Sequence, residues 1–279
     1  MAKYNENGGI IGPATVPTGN FGSAPGVWKL AEVEKYIKEG IWPVATTGFQ
    51  VQNSCRFDNG SSDNLNKTYS SDGNRRTFTV SVWVKCHAIN SNEQSIFCAG
   101  DAANQRSELK INGSRKLTFF DYNSSFDAQL ETNALLRDVN AWYHIVLKYD
   151  TTQATSSDRI KLYLNGEEQS LSTSTIPAQN HQSYINLSSK THRINQSAAG
   201  GDIGEYTMAE VVFLDGQSLG PTSFGETDST TNNWVPKDVS GLTFGTNGFY
   251  LPFQNASALG QDDSGNGNNF TVNHLTSIN

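Results

Sequence analysis

The stretch Phe78-Thr79-Val80-Ser81-Val82-Trp83-Val84-Lys85-Cys86 constrains this chain more than any other segment. Successive side chains of a strand point to opposite faces, so Phe78, Val80, Val82, Val84 and Cys86 share one face and Thr79, Ser81, Trp83 and Lys85 the other. That alternation predicts a half-buried antiparallel strand. The same period returns over Trp142–Tyr149 and Met208–Leu214. Shorter strands are predicted at Ser95–Ala99, Phe249–Phe253 and Phe270–Val272. Two hairpins are predicted, one turning at Asn112-Gly113 between Glu108–Ile111 and Lys116–Phe120. The other turns at Asn165-Gly166 between Arg159–Leu164 and Glu167–Leu171, because Asn-Gly readily supplies two consecutive positive φ angles. Many short strands joined by turns predict an all-β antiparallel β-sandwich of the jelly-roll kind.

A chain of 279 residues is long enough to bury a core without disulfide staples. Its net charge of −7 and the lack of any Lys/Arg run disfavour nucleic acid and anionic lipid as partners. The odd count of three cysteines (Cys55, Cys86, Cys98) and the absence of CxxC spacing favour buried free thiols over a disulfide or a metal site. The opening residues show no basic and apolar signal pattern, and no apolar run reaches the roughly 18 residues needed to span a bilayer. The expectation is a protein made and folded in a cytoplasm and not embedded in a membrane. Asn-x-Ser/Thr triplets such as Asn66-Lys67-Thr68 and Asn186-Leu187-Ser188 are expected by chance in so Asn- and Ser-rich a chain.

Three regions are expected. Residues 1–44 form an extended arm followed by a helix, residues 45–225 the sandwich, and residues 226–279 further strands and turns that complete it. Gly8, Gly9, Gly12, Pro13, Pro17, Gly19, Gly22, Pro25 and Gly26 break any regular element in the arm. Fully stretched, it would reach ~90 Å at about 3.3–3.6 Å per residue. Within Val27–Glu39, Leu30, Val33 and Ile37 fall on one helical face with Tyr36 beside them. Gly40 and Pro43 end the helix, and Trp28 and Trp42 bracket it. The six residues Trp28, Leu30, Val33, Tyr36, Ile37 and Trp42 are the candidate assembly surface. An amphipathic stripe fits equally a helix lying on its own sandwich and one docked to a partner.

Several segments carry a family resemblance. Phe78–Lys85 resembles the early core strand of concanavalin A-like domains of the laminin-G/pentraxin type. Ala141-Trp142-Tyr143-His144-Ile145-Val146 resembles their central strand, and Ile160-Lys161-Leu162-Tyr163-Leu164-Asn165-Gly166 their "L-Y-L-N-G" hairpin. Met208–Gly216 looks like the strand that closes the domain. These segments follow one another in the family's order over residues 50 to 220. A narrower resemblance links Gly216–Leu219, Phe224-Gly225-Glu226, Trp234–Lys237, Gly245–Leu251 and Asp263–Asn268 to structural proteins of tailed bacteriophages, especially those of marine and cyanobacterial hosts. The resemblance implies a virion component: a lectin-like tail fibre or adhesin anchored by its N-terminal arm, or a capsid (head) decoration protein. It also implies a homo-oligomer and a host-surface glycan as possible ligand. A free carbohydrate-binding module is the other alternative.

Catalysis is not expected. Glucanases of this fold carry a Glu-x-Asp-x-x-Glu strand that puts paired carboxylates on one face. Here the closing strand has only Glu210, between Ala209 and Val211. His144, among aromatic and apolar strand residues, is expected to be packed and not to act as a base. No cofactor is expected other than calcium. The segment Asp262-Asp263-Ser264-Gly265-Asn266-Gly267 partly resembles a calcium loop, with Asp262, Ser264 and Asn266 as ligands. Asn273 stands where the bidentate Glu belongs, and a tight Asx turn fits the same residues. By analogy with laminin-G domains, Asp101 and Asp121 are further calcium candidates. Trp83, Tyr143 and Tyr163 are read as lying opposite the apolar residues of their strands, but this places no glycan site.

Overall fold

The computed structural model describes residues 29–39, 49–88, 91–139, 141–229 and 231–276. In chain order the elements are α1 (Leu30–Lys38), β1 (Cys55–Phe57), β2 (Asn64–Thr68), β3 (Thr77–Cys86), β4 (Gln94–Ala102), β5 (Gln105–Ile111), β6 (Lys116–Asn123), β7 (Phe126–Leu135) and β8 (Trp142–Asp150). Then follow β9 (Ile160–Leu164), β10 (Glu167–Glu168), β11 (Leu171–Thr175), β12 (Thr191–Ile194), β13 (Tyr206–Asp215), β14 (Gly225–Thr227), β15 (Trp234–Pro236), β16 (Phe249–Leu251) and β17 (Thr271–Asn273). Among the described residues no helix is long and apolar enough to cross a membrane.

Residues 1–49 and 50–279 form two units. In the first, α1 is flanked by Lys29, whose backbone N–H donates to Glu32 Oε2 at 3.1 Å, so an acidic first turn satisfies one orphan donor. Leu30 is 80% exposed and Ile37 57%, while Val33 and Tyr36 are half-buried. The predicted arm, Trp28 and Trp42 lie outside the described residues.

The second unit is an antiparallel sandwich. One sheet runs β1-β13-β3-β8-β9-β10, with β16 also pairing β13, and the other runs β11-β7-β6-β5-β4-β12-β2-β17. The apolar faces meet in one core, where Phe78 stacks on Tyr149 with ring centroids 4.3 Å apart and Phe119 meets Tyr149 edge-on at 5.9 Å. The last strands divide between the layers, β16 joining the first sheet and β17 the second. Cys55, Cys86 and Cys98 are buried and unpaired.

Three expectations need correction. The far face of β3 is not exposed: Thr79 is 0% and Ser81 1% exposed. A second cluster, including Val146, Val212, Phe224, Val239, Phe244 and Tyr250, covers that side. Thr79 Oγ1 fastens this cover by donating to the Gln217 carbonyl at 2.8 Å and accepting from Leu219 N–H at 2.9 Å. The segments 217–229 and 231–247 therefore roof the outer face of the first sheet. Second, Glu167–Leu171 is not one strand. Glu167 and Glu168 pair β9, and from Leu171 the chain crosses to β7 in the opposite layer. Third, the two Asn-Gly turns differ. Asn165 and Gly166 both have positive φ (49° and 87°), as a tight hairpin requires. In the β5–β6 turn the left-handed residue is Arg115 (φ 65°), because Asn112 Oδ1 accepts from Ser114 and Lys116 N–H, each at 3.0 Å, and shapes the loop itself.

Candidate functional site

The roof stops short of one end of the first sheet and leaves a cleft of about 430 Å3. Three indoles surround it. Trp83 comes from the outer face of β3, Trp142 from the start of β8 and Trp234 from β15. Ala209, in register with Trp83, contributes only a methyl group to the floor, and Pro236 and the segment 51–54 complete the walls. Directly after Ala209 the β13–β3 register slips, and Glu210 takes a left-handed conformation (φ 50°). This bulge ends regular pairing beside the cleft.

Trp234 is held by its surroundings. Its Nε1–H donates to His144 Nδ1 at 3.0 Å. A Cβ at Gly166 would stand 2.8 Å from indole atoms Cε3 and Cζ3, and one at Gly225 would stand 2.7 Å from Cε2 and Cζ2. Two glycines thus make the slot the ring occupies. Asn165 sets the hairpin against β8, its side chain accepting from His144 N–H at 2.8 Å and its own N–H donating to the His144 carbonyl at 2.8 Å. The W-Y-H and L-N-G segments therefore meet in space to seat a tryptophan 90 residues further along the chain.

His144 lies stacked between Trp83 (centroids 4.7 Å) and Trp234 (6.0 Å). Its Nε2 is 2.9 Å from Ser81 Oγ. Since Nδ1 accepts from the indole, the ring proton sits on Nε2 and is donated to the serine. A base activating serine needs the opposite polarity. Burial lowers the His144 pKa to about 3, which keeps the ring neutral. Ser81 and His144 are thus a satisfied structural pair. Glu210, the single acid of the closing strand, is 5% exposed and accepts from Tyr250 Oη at 2.5 Å. Burial raises its pKa, and no carboxylate lines the cleft.

The other candidates fall elsewhere. Both Asp262 oxygens are engaged: Oδ1 accepts from Tyr250 and Ser264 N–H (each 2.9 Å), and Oδ2 from Ser264 Oγ (2.9 Å) and Asn268 N–H (2.7 Å). Asn266 turns its amide to the carbonyls of Gly245 (2.6 Å) and Gly248 (3.0 Å). These are the bonds of an Asx-type turn. Asp101 accepts from Thr191 N–H at 3.1 Å and pairs with Lys190. Asp121 is 1% exposed and accepts from Ser107, from Ser183 (2.8 Å) and from Tyr149 Oη (2.8 Å), with His181 at 3.3 Å. Burial alone would lower the His181 pKa, but the bond and charge of Asp121 prevail and raise it. Among the described residues no group of three or more His, Cys, Asp or Glu side chains is placed to hold a metal ion.

Trp83 and Tyr163 do lie on the outer face, as their alternation implies. Tyr143 does not: paired with Val84, it faces the main core with Ile145 and Leu147, and its hydroxyl accepts from Asp138 N–H at 3.0 Å. The outward residues of β8 are Trp142, His144, Val146, Lys148 and Asp150. The parity that places Trp142 beside Trp83 is present in the sequence, and Trp142 and Trp234 are the two cleft tryptophans that sequence reasoning missed, along with the wall segment 51–54.

The chain belongs to the concanavalin A-like lectin/glucanases superfamily, whose laminin-G-type family model matches residues 59–213, more than half of it. Among solved structures it is similar to the native heptameric SAP-like pentraxin from Limulus polyphemus, with 14% identity over 70% of this chain and 100% of that chain, TM-score 0.44. It is also similar to the CBM40 of Ruminococcus gnavus IT-sialidase (17%, 57% and 95%, TM-score 0.40) and to domains LG4-5 of the mouse laminin alpha1 chain (16%, 63% and 45%, TM-score 0.41). Likenesses this distant say nothing of ligands. No protein of curated function matches the chain.

Proposed function

We propose that this chain is a non-catalytic, lectin-like adhesin of a tailed-phage virion, of the tail-fibre type. Its sandwich binds a host-surface glycan at the tryptophan cleft, and residues 1–44 dock it to other virion proteins as part of a homo-oligomer. The cleft carries the binding part of this proposal. Aromatic faces offer broad apolar surfaces against which the C–H face of a sugar ring can lie, and a concave, largely preformed site is where small ligands bind. Trp234 is fixed before any ligand arrives, so little ordering cost remains. The lining has no carboxylate or imidazole to serve as acid or base, and none to activate the hydroxyl of Ser54, which favours holding a glycan over cleaving it. The virion setting rests on the sequence resemblance.

Trp142 is 38% exposed, so Trp142→Ala should leave the sandwich folded and abolish glycan-array binding. A variant that binds like wild type refutes the cleft as the site. Deleting residues 1–44 should prevent incorporation into particles while leaving a folded sandwich; normal incorporation overturns the docking role. Immunogold labelling over the head instead of the tail would reassign the chain to capsid decoration.

A further inference from the structure

Resting on glycan binding at this cleft, we infer the chemical class of the sugar: the cleft selects an uncharged pyranose residue and holds it without a metal ion. The lining supplies ring faces and three small apolar groups, with Gln52, Asn53 and Ser54 as its polar side chains. None of these titrates. The side chains of Asn53 and Ser54, and the indole N–H groups of Trp83 and Trp142, make no hydrogen bond within the described residues and remain for a ligand. Amide and hydroxyl groups both donate and accept, which matches the hydroxyls of a neutral sugar.

The ionisable groups around the cleft do not alter this. His144, behind the indoles, is neutral, with both ring nitrogens engaged by Trp234 and Ser81. Glu210 is turned to Tyr250. Lys85 is opposite Trp142 in register but is not among the lining residues. A sialic acid, uronic acid or sulfate ester seated between the indoles would give up hydration of its anion and find no cation in the lining. An unpaired buried charge is strongly disfavoured. Calcium fares no better, since it needs several hard oxygen ligands, carboxylates above all, and the lining has no carboxylate.

The test is an array of neutral gluco-, galacto- and manno-configured oligosaccharides. Each is paired with a counterpart that differs by one sialic acid, uronic acid or sulfate group. The full-length protein is probed in calcium and in EDTA, beside Trp142→Ala and the exposed-site variant Asn53→Ala. We expect binding to at least one neutral glycan, at least about tenfold weaker binding to its acidic counterpart, no difference between calcium and EDTA, and loss of binding in both variants. If acidic members bind as well or better, or EDTA abolishes binding, while the variants still lose it, the cleft remains a glycan site and the inference about its chemistry is overturned. If no member binds, or both variants bind like wild type, glycan binding at the cleft fails and the inference falls with it.

Discussion

Replacing Gly225 by alanine tests how the cleft is built. Gly225 opens β14, and its backbone is not in the left-handed region, so alanine suits its conformation. The new methyl would stand 2.7 Å from Cε2, Cζ2 and Nε1 of Trp234, well inside contact distance. The indole has two responses. It can stay, with Gly166 and His144 on its other sides, and the slot is overpacked at a cost of about 1–3 kcal/mol. Or it can swing out and break the bond to His144, leaving a buried acceptor unpaired at a cost of about 1–3 kcal/mol. Either way the folded state should lose roughly 1–3 kcal/mol, read as a lower urea midpoint at unchanged m-value. If the ring swings out, glycan binding should go as well. Gly220→Ala is the control: a methyl group there would meet no atom within 4 Å, and its φ is −81°. It should stay within about 0.5 kcal/mol of wild type. Equal midpoints for the two variants would refute the idea that a glycine slot fixes the indole.

The remaining predictions concern pH and calcium. Burial lowers the folded-state pKa of His144 to about 3, so its contribution is fully present above the ordinary histidine value of about 6.5 and is lost as pH falls toward 3, the unfolded chain taking up a proton that the folded one refuses. His144→Gln should therefore be less stable at pH 7, yet its stability should fall with acid by about 1.4 kcal/mol per pH unit less than wild type between roughly pH 6 and pH 4; parallel urea titrations would contradict this. Calcium should leave the Tm unchanged to within about a degree, because both Asp262 oxygens already accept bonds. Asp262→Ala should cost about 2–4 kcal/mol by undoing that turn, and a calcium-dependent rise in Tm would contradict the first of these outcomes.

The sandwich was legible because its signals are local. The alternation in Phe78–Cys86 and the turn at Asn165-Gly166 each act over a few residues, and the structure keeps both. The roof was not legible, because nothing within β3 marks Ser81 and Trp83 for burial by a segment more than 130 residues later. The crossing after Glu168 was hidden as well, since Leu171–Thr175 extends the same strand-like composition into the other layer. At the cleft the difficulty was one of parity and distance. Tyr143 and Trp142 are neighbours in the chain but stand on opposite faces, and Trp234 reaches His144 from a hairpin that no local periodicity links to β8. The calcium-like loop shows the reverse: its oxygens follow a ligand spacing in sequence, and in space they serve the backbone.

The three sealed thiols have a chemical consequence. Desolvation pushes Cys55 up to about 12 and raises Cys86 and Cys98, so almost no thiolate exists at neutral pH, and the side chains lie out of reach of solvent. Peroxide attack and exchange with glutathione both begin at an accessible thiolate. Oxidants outside a cell and reductants inside one should therefore leave the folded molecule equally untouched.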